Sequence, residues 1–207
     1  MYAPLIAVTL RILTFRAGPQ DFPFAPSLTS QLCVAALVSQ LLVLGQVMSI
    51  PLVLLIGVFA LGAIALATHA FLRTRNLANR FHQTFGALLA TGAVLMLVMA
   101  PLFSFAAPLL RAVAADPSLL ERTEELMTLR PPVIVNLILD VLFFWNIAVT
   151  IRIYRLSGDL RLAGGILITL AVMAFTFMTV LFGTALFGGL FGLGASQAAI
   201  TAAPPAL

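Results

Sequence analysis

The sequence predicts an all-α integral membrane protein, a bundle of five transmembrane helices preceded by an N-terminal interfacial amphipathic helix. Three observations support this fold class. Hydrophobic residues make up 62% of the 207 residues and charged residues only 9%, whereas ordinary globular domains carry about 25% charged residues. Five apolar segments each reach the ~20 residues that cross a ~30 Å hydrocarbon core. These segments lack the period-two alternation of a transmembrane barrel.

The predicted spans set the domain organisation. They cover residues 28–48, 52–72, 84–104, 133–152 and 163–194, and together they form one membrane domain from 28 to 194. Backbone groups in lipid must be hydrogen-bonded within the protein, so each span is expected to be a helix. Residues 195–207 are small and uncharged, which predicts a flexible C-terminal tail.

Residues 1–27 form a separate N-terminal region. The run MYAPLIAVTLRILTFR is apolar but too short to span a membrane, and Arg11 and Arg16 lie near its end. A signal peptide carries its positive charge before the apolar run. We therefore expect an interfacial helix that keeps its arginines at headgroup level. The following RAGPQDFPFAPS contains three prolines, which predict a connector because proline interrupts a helix.

The arginines divide unevenly between the two sides of the predicted bundle. All eleven basic residues are arginine, and alternate loops place eight of them on the N-terminal side. The other side carries three arginines and four acidic residues. By the positive-inside rule the N-terminus is expected to be cytoplasmic and the C-terminus outside, in a bacterial cytoplasmic (inner) membrane.

Two basic loops on the N-terminal side are predicted to contact lipid. RTRNLANR and RIYRLSGDLR together place six arginines at the membrane surface, where each attracts anionic headgroups by about 1 kcal/mol. They are Arg73, Arg75, Arg80, Arg152, Arg155 and Arg161. The alternative is that these arginines only set the topology. Nucleic acid is not expected as a partner, because the arginines are scattered and no soluble basic domain carries them.

The order of these parts resembles that of the Yip1 family of small membrane proteins, and most closely its bacterial members. The resemblance lies in a short N-terminal segment, the stretch GPQDFPFAP and five spans after it. It implies a five-helix bundle that forms oligomers and has no known chemistry.

The loop at 105–132 contains a second short helix signal. In SLLERTEELM, Ser118 is followed by Glu121 three residues later, which is the spacing of a capping box. This predicts a short helix resting on the outer surface, with a solvated connector as the alternative.

One carboxylate lies inside a predicted span. Asp140, in VNLILDVLFFWN, follows Val133 by seven residues, or ~10 Å along a helix. Asn136 is one turn earlier on the same face. Gln40 and Thr184 lie at similar depth in the first and fifth spans, so the four predict an intramembrane polar cluster. It either holds the bundle together by hydrogen bonds or forms a proton or ion site.

The fifth span carries small residues at four-residue spacing. Gly188 pairs with Gly192, and Ala185 pairs with Gly189. Such spacing lets two helices approach closely. It predicts packing within the bundle or association between copies of the chain.

Catalytic and nucleotide-binding signatures are missing. The sequence has no HExxH, no GxSxG, no P-loop and no Cys/His cluster, so no enzyme, cofactor or metal is expected. The leading hypothesis is a non-enzymatic membrane protein, a scaffold or assembly subunit acting through lipid or protein partners, a homo-oligomer included. The alternative is a small transporter or channel component that uses Asp140 as its proton or ion site.

Overall fold

The computed structural model describes residues 2–23 and 26–190, and every regular element within these ranges is helical. The seven α-helices are α1 (Tyr2–Leu13), α2 (Pro26–Leu44), α3 (Ile50–Thr74), α4 (Phe81–Ala115), α5 (Thr123–Leu129), α6 (Val133–Ser157) and α7 (Leu162–Leu190). Five of them, α2, α3, α4, α6 and α7, are long and apolar enough to cross a membrane. The predicted all-helical fold with five apolar spans is confirmed.

Some helices end later than the predicted spans, because helix-forming residues follow the predicted span end. α4 runs on to Ala115, past the predicted end at 104, although it contains Pro101 and Pro108. Its last residues are rich in alanine and leucine, the strongest helix formers. The predicted end of the last span at 194 and the tail 195–207 lie outside the described residues.

The five long helices pack in a ring. In order around it, α2 contacts α4, α4 contacts α6, α6 contacts α7, α7 contacts α3, and α3 closes on α2. We call the end where α4 begins and α6 ends the arginine-rich end, because Arg73, Arg75, Arg80, Arg155 and Arg161 lie there. The opposite end, which carries residues 116–132, is the loop end.

The N-terminal region is packed into the arginine-rich end. In α1, the side chains of Thr9, Ile12 and Leu13 are buried, and the helix contacts α4. The chain that follows is buried at Ala17 and again at Phe22, within the same core cluster. The stretch predicted as a connector is therefore part of the packed core.

The Phe22 side chain packs against α4 at Gly86, where any larger residue would collide with the ring. Its side chain is 2% exposed, and a Cβ atom added at Gly86 would lie 2.7 Å from the Phe22 ring. Local hydrogen bonds hold the segment in place: the Gly18 amide donates to the Asp21 carboxylate at 2.8 Å, and the Gln83 side chain donates to the Phe22 carbonyl at 3.3 Å. We call residues 17–22 the N-terminal plug.

The loop at the loop end is capped by a different residue from the one predicted. Asp116 caps a 3-10 turn at Pro117–Glu121 by accepting hydrogen bonds from the amide and hydroxyl of Ser118, at 3.0 and 2.6 Å. The predicted capping box at Ser118 is therefore wrong. Asp116 is the residue before the turn, and its carboxylate accepts from the Ser118 amide, which has no partner within the turn. These bonds, led by that from the Ser118 hydroxyl, hold the pKa of Asp116 below its usual value.

Candidate functional site

The four residues of the predicted polar cluster lie on three different helices, and no hydrogen bond among the described residues joins them. Gln40 on α2 is half-buried and faces α3, since its Oε1 is 3.4 Å from a Cβ atom built at Gly57. Thr184 on α7 donates to the Val180 carbonyl of its own helix at 2.7 Å. Asn136 and Asp140, one turn apart on α6, are both exposed.

The face of α6 that carries Asp140 is covered at one end of the bundle and open at the other. Near the arginine-rich end it packs on α7, where a Cβ atom built at Gly165 would lie 3.1 Å from the Ile151 carbonyl oxygen. Ile151 is eleven residues after Asp140, about three turns along the same face. Toward the loop end that face is exposed at Asn136, Asp140 and Phe143. The uncovered half therefore begins close to the carboxylate.

We call this exposed area the Asp140 surface. Its members lie in the loop-end half of α6 and are exposed: Val133, Asn136, Leu137, Asp140, Phe143 and Phe144. Within the described residues, Asp140 makes no hydrogen bond and no ion pair. A lone carboxylate among apolar side chains at this depth costs about 3 kcal/mol or more in a membrane. In the single chain, the Asp140 carboxylate is thus exposed at a position where its contact with lipid is unfavourable.

Arg80 joins two helix ends at the arginine-rich end. Its Nη1 donates to the Asp159 carboxylate at 3.0 Å and to the Ser157 carbonyl at 3.2 Å. The Thr84 hydroxyl donates to the Ser157 hydroxyl at 2.8 Å. Because both members of the Arg80–Asp159 pair are accessible to solvent, the pair contributes at most about 1 kcal/mol. It positions the start of α4 against the end of α6.

The six arginines predicted at lipid headgroups fall into two groups. Arg73, Arg75, Arg155 and Arg161 are exposed and form no ion pair with a described residue. Arg80 and Arg152 are engaged within the bundle. Four of the six are thus placed to meet an external anion.

Sequence reasoning missed an aromatic cluster that joins α1 to α6. The Trp145 indole donates to the Leu13 carbonyl at 3.0 Å, its ring lies 5.1 Å from the ring of Phe15, and the Arg152 guanidinium carbon lies 5.5 Å from the centre of the Phe15 ring. At least 130 positions along the chain separate the two halves of this cluster, so no local pattern could reveal it.

Phe15 takes part in this cluster at a local backbone cost. It lies just after α1 with φ 60°, in the left-handed conformation that normally selects glycine at a helix end. The Phe15 amide donates to the Ile12 carbonyl and the Arg16 amide to the Arg11 carbonyl, which is the Schellman arrangement. For a bulky residue this conformation costs about 1 kcal/mol or more, which the contacts with Trp145 and Arg152 offset.

A hydroxyl pair links α3 to α6 in the interior. The Thr68 and Tyr154 oxygens are 2.8 Å apart, and both side chains are fully buried. Replacing Tyr154 by phenylalanine is expected to lower the free energy of unfolding by about 1 kcal/mol, because it removes the buried partner of Thr68. Thermal unfolding in mild detergent measures the change. The double variant with Thr68→Val should lose less than the two single losses added together; strict additivity would show that the hydroxyls do not interact.

A cleft at the arginine-rich end is too small for a ligand. It has a volume of about 10 Å³, which is the size of one water molecule. Its lining comes from Pro19, Gln20, Arg80, Gln83, Thr84, Leu156 and Ser157. Asp140 is not part of this lining.

The small residues of α7 serve different neighbours. Gly183, which is not in the predicted pairs, meets α3: a Cβ atom there would lie 2.7 Å from the Phe59 ring. Gly188 is buried, yet a Cβ atom built there meets no atom of the described residues within 4 Å, whereas Ala185 and Gly189 are exposed. Gly192 lies outside the described residues. The contact of α7 with α3 is therefore made at a glycine outside the two predicted pairs.

The described residues thus offer two candidate binding regions, the Asp140 surface and the exposed arginines of the arginine-rich end. Comparison of the chain with protein-family models, with curated protein sequences and with solved structures gives no match.

Proposed function

We propose that this protein is a non-enzymatic integral membrane protein, a scaffold or assembly subunit that works by binding other membrane components. The observation that carries the proposal is the exposure of Asp140 and Asn136 on the outside of the bundle. Polar groups facing hydrocarbon are costly, and a bound partner that supplies hydrogen bonds removes most of that cost. The Asp140 surface is then a contact site.

The position of Asp140 favours this role over the alternative of a transporter or channel. Ionisable residues on a transport path face the interior of a bundle or a water-filled cavity. Asp140 is exposed on the outer surface of α6, and the cleft at the arginine-rich end is lined by other residues. Proton flux in proteoliposomes that disappears in the Asp140→Asn variant would reverse this preference.

The proposal includes an orientation and a lipid contact. Eight arginines and two aspartates belong to the arginine-rich side, against three arginines and four acidic residues in the loop at the other end. We place the arginine-rich end and the N-terminus in the cytoplasm of a bacterium and the C-terminus outside. In this placement the four exposed arginines contact anionic headgroups. We extend the proposal to a Yip1-like protein only on the resemblance in the order of the sequence segments.

Photocrosslinking tests whether the Asp140 surface binds protein. We expect p-benzoylphenylalanine at position 144 to give a protein adduct in membranes, because Phe144 borders Asp140 and is 67% exposed. Position 182 on α7 is the matched control, since Phe182 is 68% exposed and the Thr179 hydroxyl one turn earlier already donates to the Phe175 carbonyl of its own helix. Protein adducts at neither position, or equally at both, would contradict a specific contact site at Asp140.

A further inference from the structure

The guanidinium group of Arg152 carries a positive charge that no carboxylate of the described residues neutralises. The ion pairs among these residues involve Arg80 and Arg122, and Arg152 takes part in none of them. Its Nε is enclosed and has no hydrogen-bond partner there. The guanidinium carbon lies 5.5 Å from the centre of the Phe15 ring, within the range of a cation–π contact. That contact holds the side chain in place but leaves its charge without a counter-ion.

Arg152 lies inside a membrane span. It precedes Ser157, the last residue of α6, by five residues, or about 8 Å along the helix. Trp145, whose ring lies 5.1 Å from that of Phe15, is near the middle of the same helix. A cation at such a depth is costly unless it is paired or reached by water. Because Nε is enclosed, a ligand that neutralises the guanidinium group must bind its two Nη atoms.

The carboxylates at the arginine-rich end are already engaged. Asp159 forms an ion pair, and Asp21 accepts a backbone hydrogen bond. Arg155, one turn after Arg152 on the same side of α6, is exposed and adds a second positive charge. Like charges at this spacing repel each other, and an anion that contacts both removes the repulsion. Phosphate suits this role, because its oxygens accept hydrogen bonds from two guanidinium groups at once.

An exposed apolar strip leads from Arg152 toward the middle of the membrane. Val141, Trp145 and Ala148 are exposed and recur at three- and four-residue spacing before Arg152, so they lie along one side of α6. We call these three residues the α6 strip. A phospholipid places its phosphate beside the arginines and its acyl chains along this strip, whereas a free phosphate ion gains nothing from it. The apolar strip therefore favours lipid as the source of the phosphate.

We propose that one anionic phospholipid binds between α1 and α6, with its phosphate on Arg152 and Arg155 and an acyl chain along the α6 strip. The end of α1 forms the other side of the site, where the Trp145 indole donates to the Leu13 carbonyl at 3.0 Å. Two arginines favour a headgroup without a cation of its own, such as phosphatidylglycerol. This inference rests on the proposed function, the binding of membrane components, and assigns one lipid a fixed position away from the Asp140 surface.

The single tryptophan of the chain reports on this lipid, because Trp145 belongs to the α6 strip and is 42% exposed. Brominated acyl chains quench tryptophan fluorescence. In phosphatidylcholine bilayers, a small share of brominated phosphatidylglycerol should quench Trp145 more than the same share of brominated phosphatidylcholine. Arg152→Gln should lower this preference about fivefold, the effect of one arginine contact at a membrane surface. The charge-matched control is Arg111→Gln, exposed on α4 at the loop end, which should keep the preference.

A second variant separates a defined site from general attraction to a basic surface. Phe15→Leu leaves every charge in place but removes the ring that holds the Arg152 guanidinium group. The preference should fall about twofold or more, the contribution of a cation–π contact. General attraction predicts no change in this variant. Comparing the two brominated lipids within each variant cancels any change in the emission of Trp145 itself.

Each outcome decides the inference separately from the contact at Asp140. A preference that falls in Arg152→Gln and Phe15→Leu, but not in Arg111→Gln, supports the lipid site. Equal quenching by the two lipids, or a preference that survives in Arg152→Gln, overturns it, while crosslinking at position 144 still decides the protein contact. If added inorganic phosphate abolishes the preference, the site takes a free anion and lipid is the wrong occupant.

Discussion

Replacing Phe22 by alanine is expected to lower the free energy of unfolding by about 3–5 kcal/mol, the usual cost of truncating a fully buried phenylalanine. The ring is 2% exposed and fills the space beside Gly86. Phe22 lies in a connecting segment rather than within a span. When the N-terminal plug detaches, the ring therefore meets water instead of lipid, and the full transfer free energy counts.

Unfolding by heat or by denaturing detergent, followed by circular dichroism, measures this loss. Phe105→Ala is the control, because that side chain on α4 is exposed and its truncation should change the stability by less than about 0.5 kcal/mol. Phe22→Leu should lie between the two. Equal stabilities of the Phe22→Ala and Phe105→Ala variants would mean that the N-terminal plug does not dock on α4.

Replacing Gly165 by leucine is expected to separate α6 from α7 and to cost about 3 kcal/mol, the upper part of the range for overpacking. A Cβ atom at this position would lie 2.9 Å from the Arg155 Cβ and 3.1 Å from the Ile151 carbonyl oxygen. Backbone atoms of a helix cannot rotate away as a side-chain end can. The two helices must therefore move apart at this position.

The matched control is Gly189→Leu on the same helix, since a Cβ atom there meets no atom of the described residues within 4 Å. Both variants replace a glycine near an end of α7 by leucine, so the difference between their melting temperatures reports mainly the contact with α6. A Gly165→Leu protein as stable as Gly189→Leu would show that α6 and α7 do not pack closely near the arginine-rich end.

The sequence predicts the number of spans because long apolar runs are a signal of composition and length. It does not predict which side of a span faces inward. α7 is apolar all round, and helices in lipid need not present a polar side outward. Counting residues from the ends of the spans therefore predicts that Asp140 and Thr184 lie at similar depths. In the structure Asp140 lies on an exposed face of α6, and Thr184 donates to the Val180 carbonyl of its own helix.

The burial of the N-terminal plug cannot be predicted from the sequence for a different reason. Prolines and glycines mark GPQDFP as a break in the helix, and a break usually predicts an exposed connector. The burial of Phe22 depends on Gly86, 64 residues later in the chain. Likewise the partner of the Trp145 indole is a main-chain carbonyl 132 residues away. No local spacing encodes contacts of that range.

The Trp145–Leu13 hydrogen bond also has a consequence for the order in which the parts of the chain fold. Synthesis proceeds from the N-terminus, so α1 and the plug exist before α4 and well before α6 have been made. Their burial sites form only once those later helices are in place. The N-terminal residues must therefore remain undocked while the four helices α2, α3, α4 and α6 are inserted. The fold is completed when α1 and the N-terminal plug dock on α4 and α6.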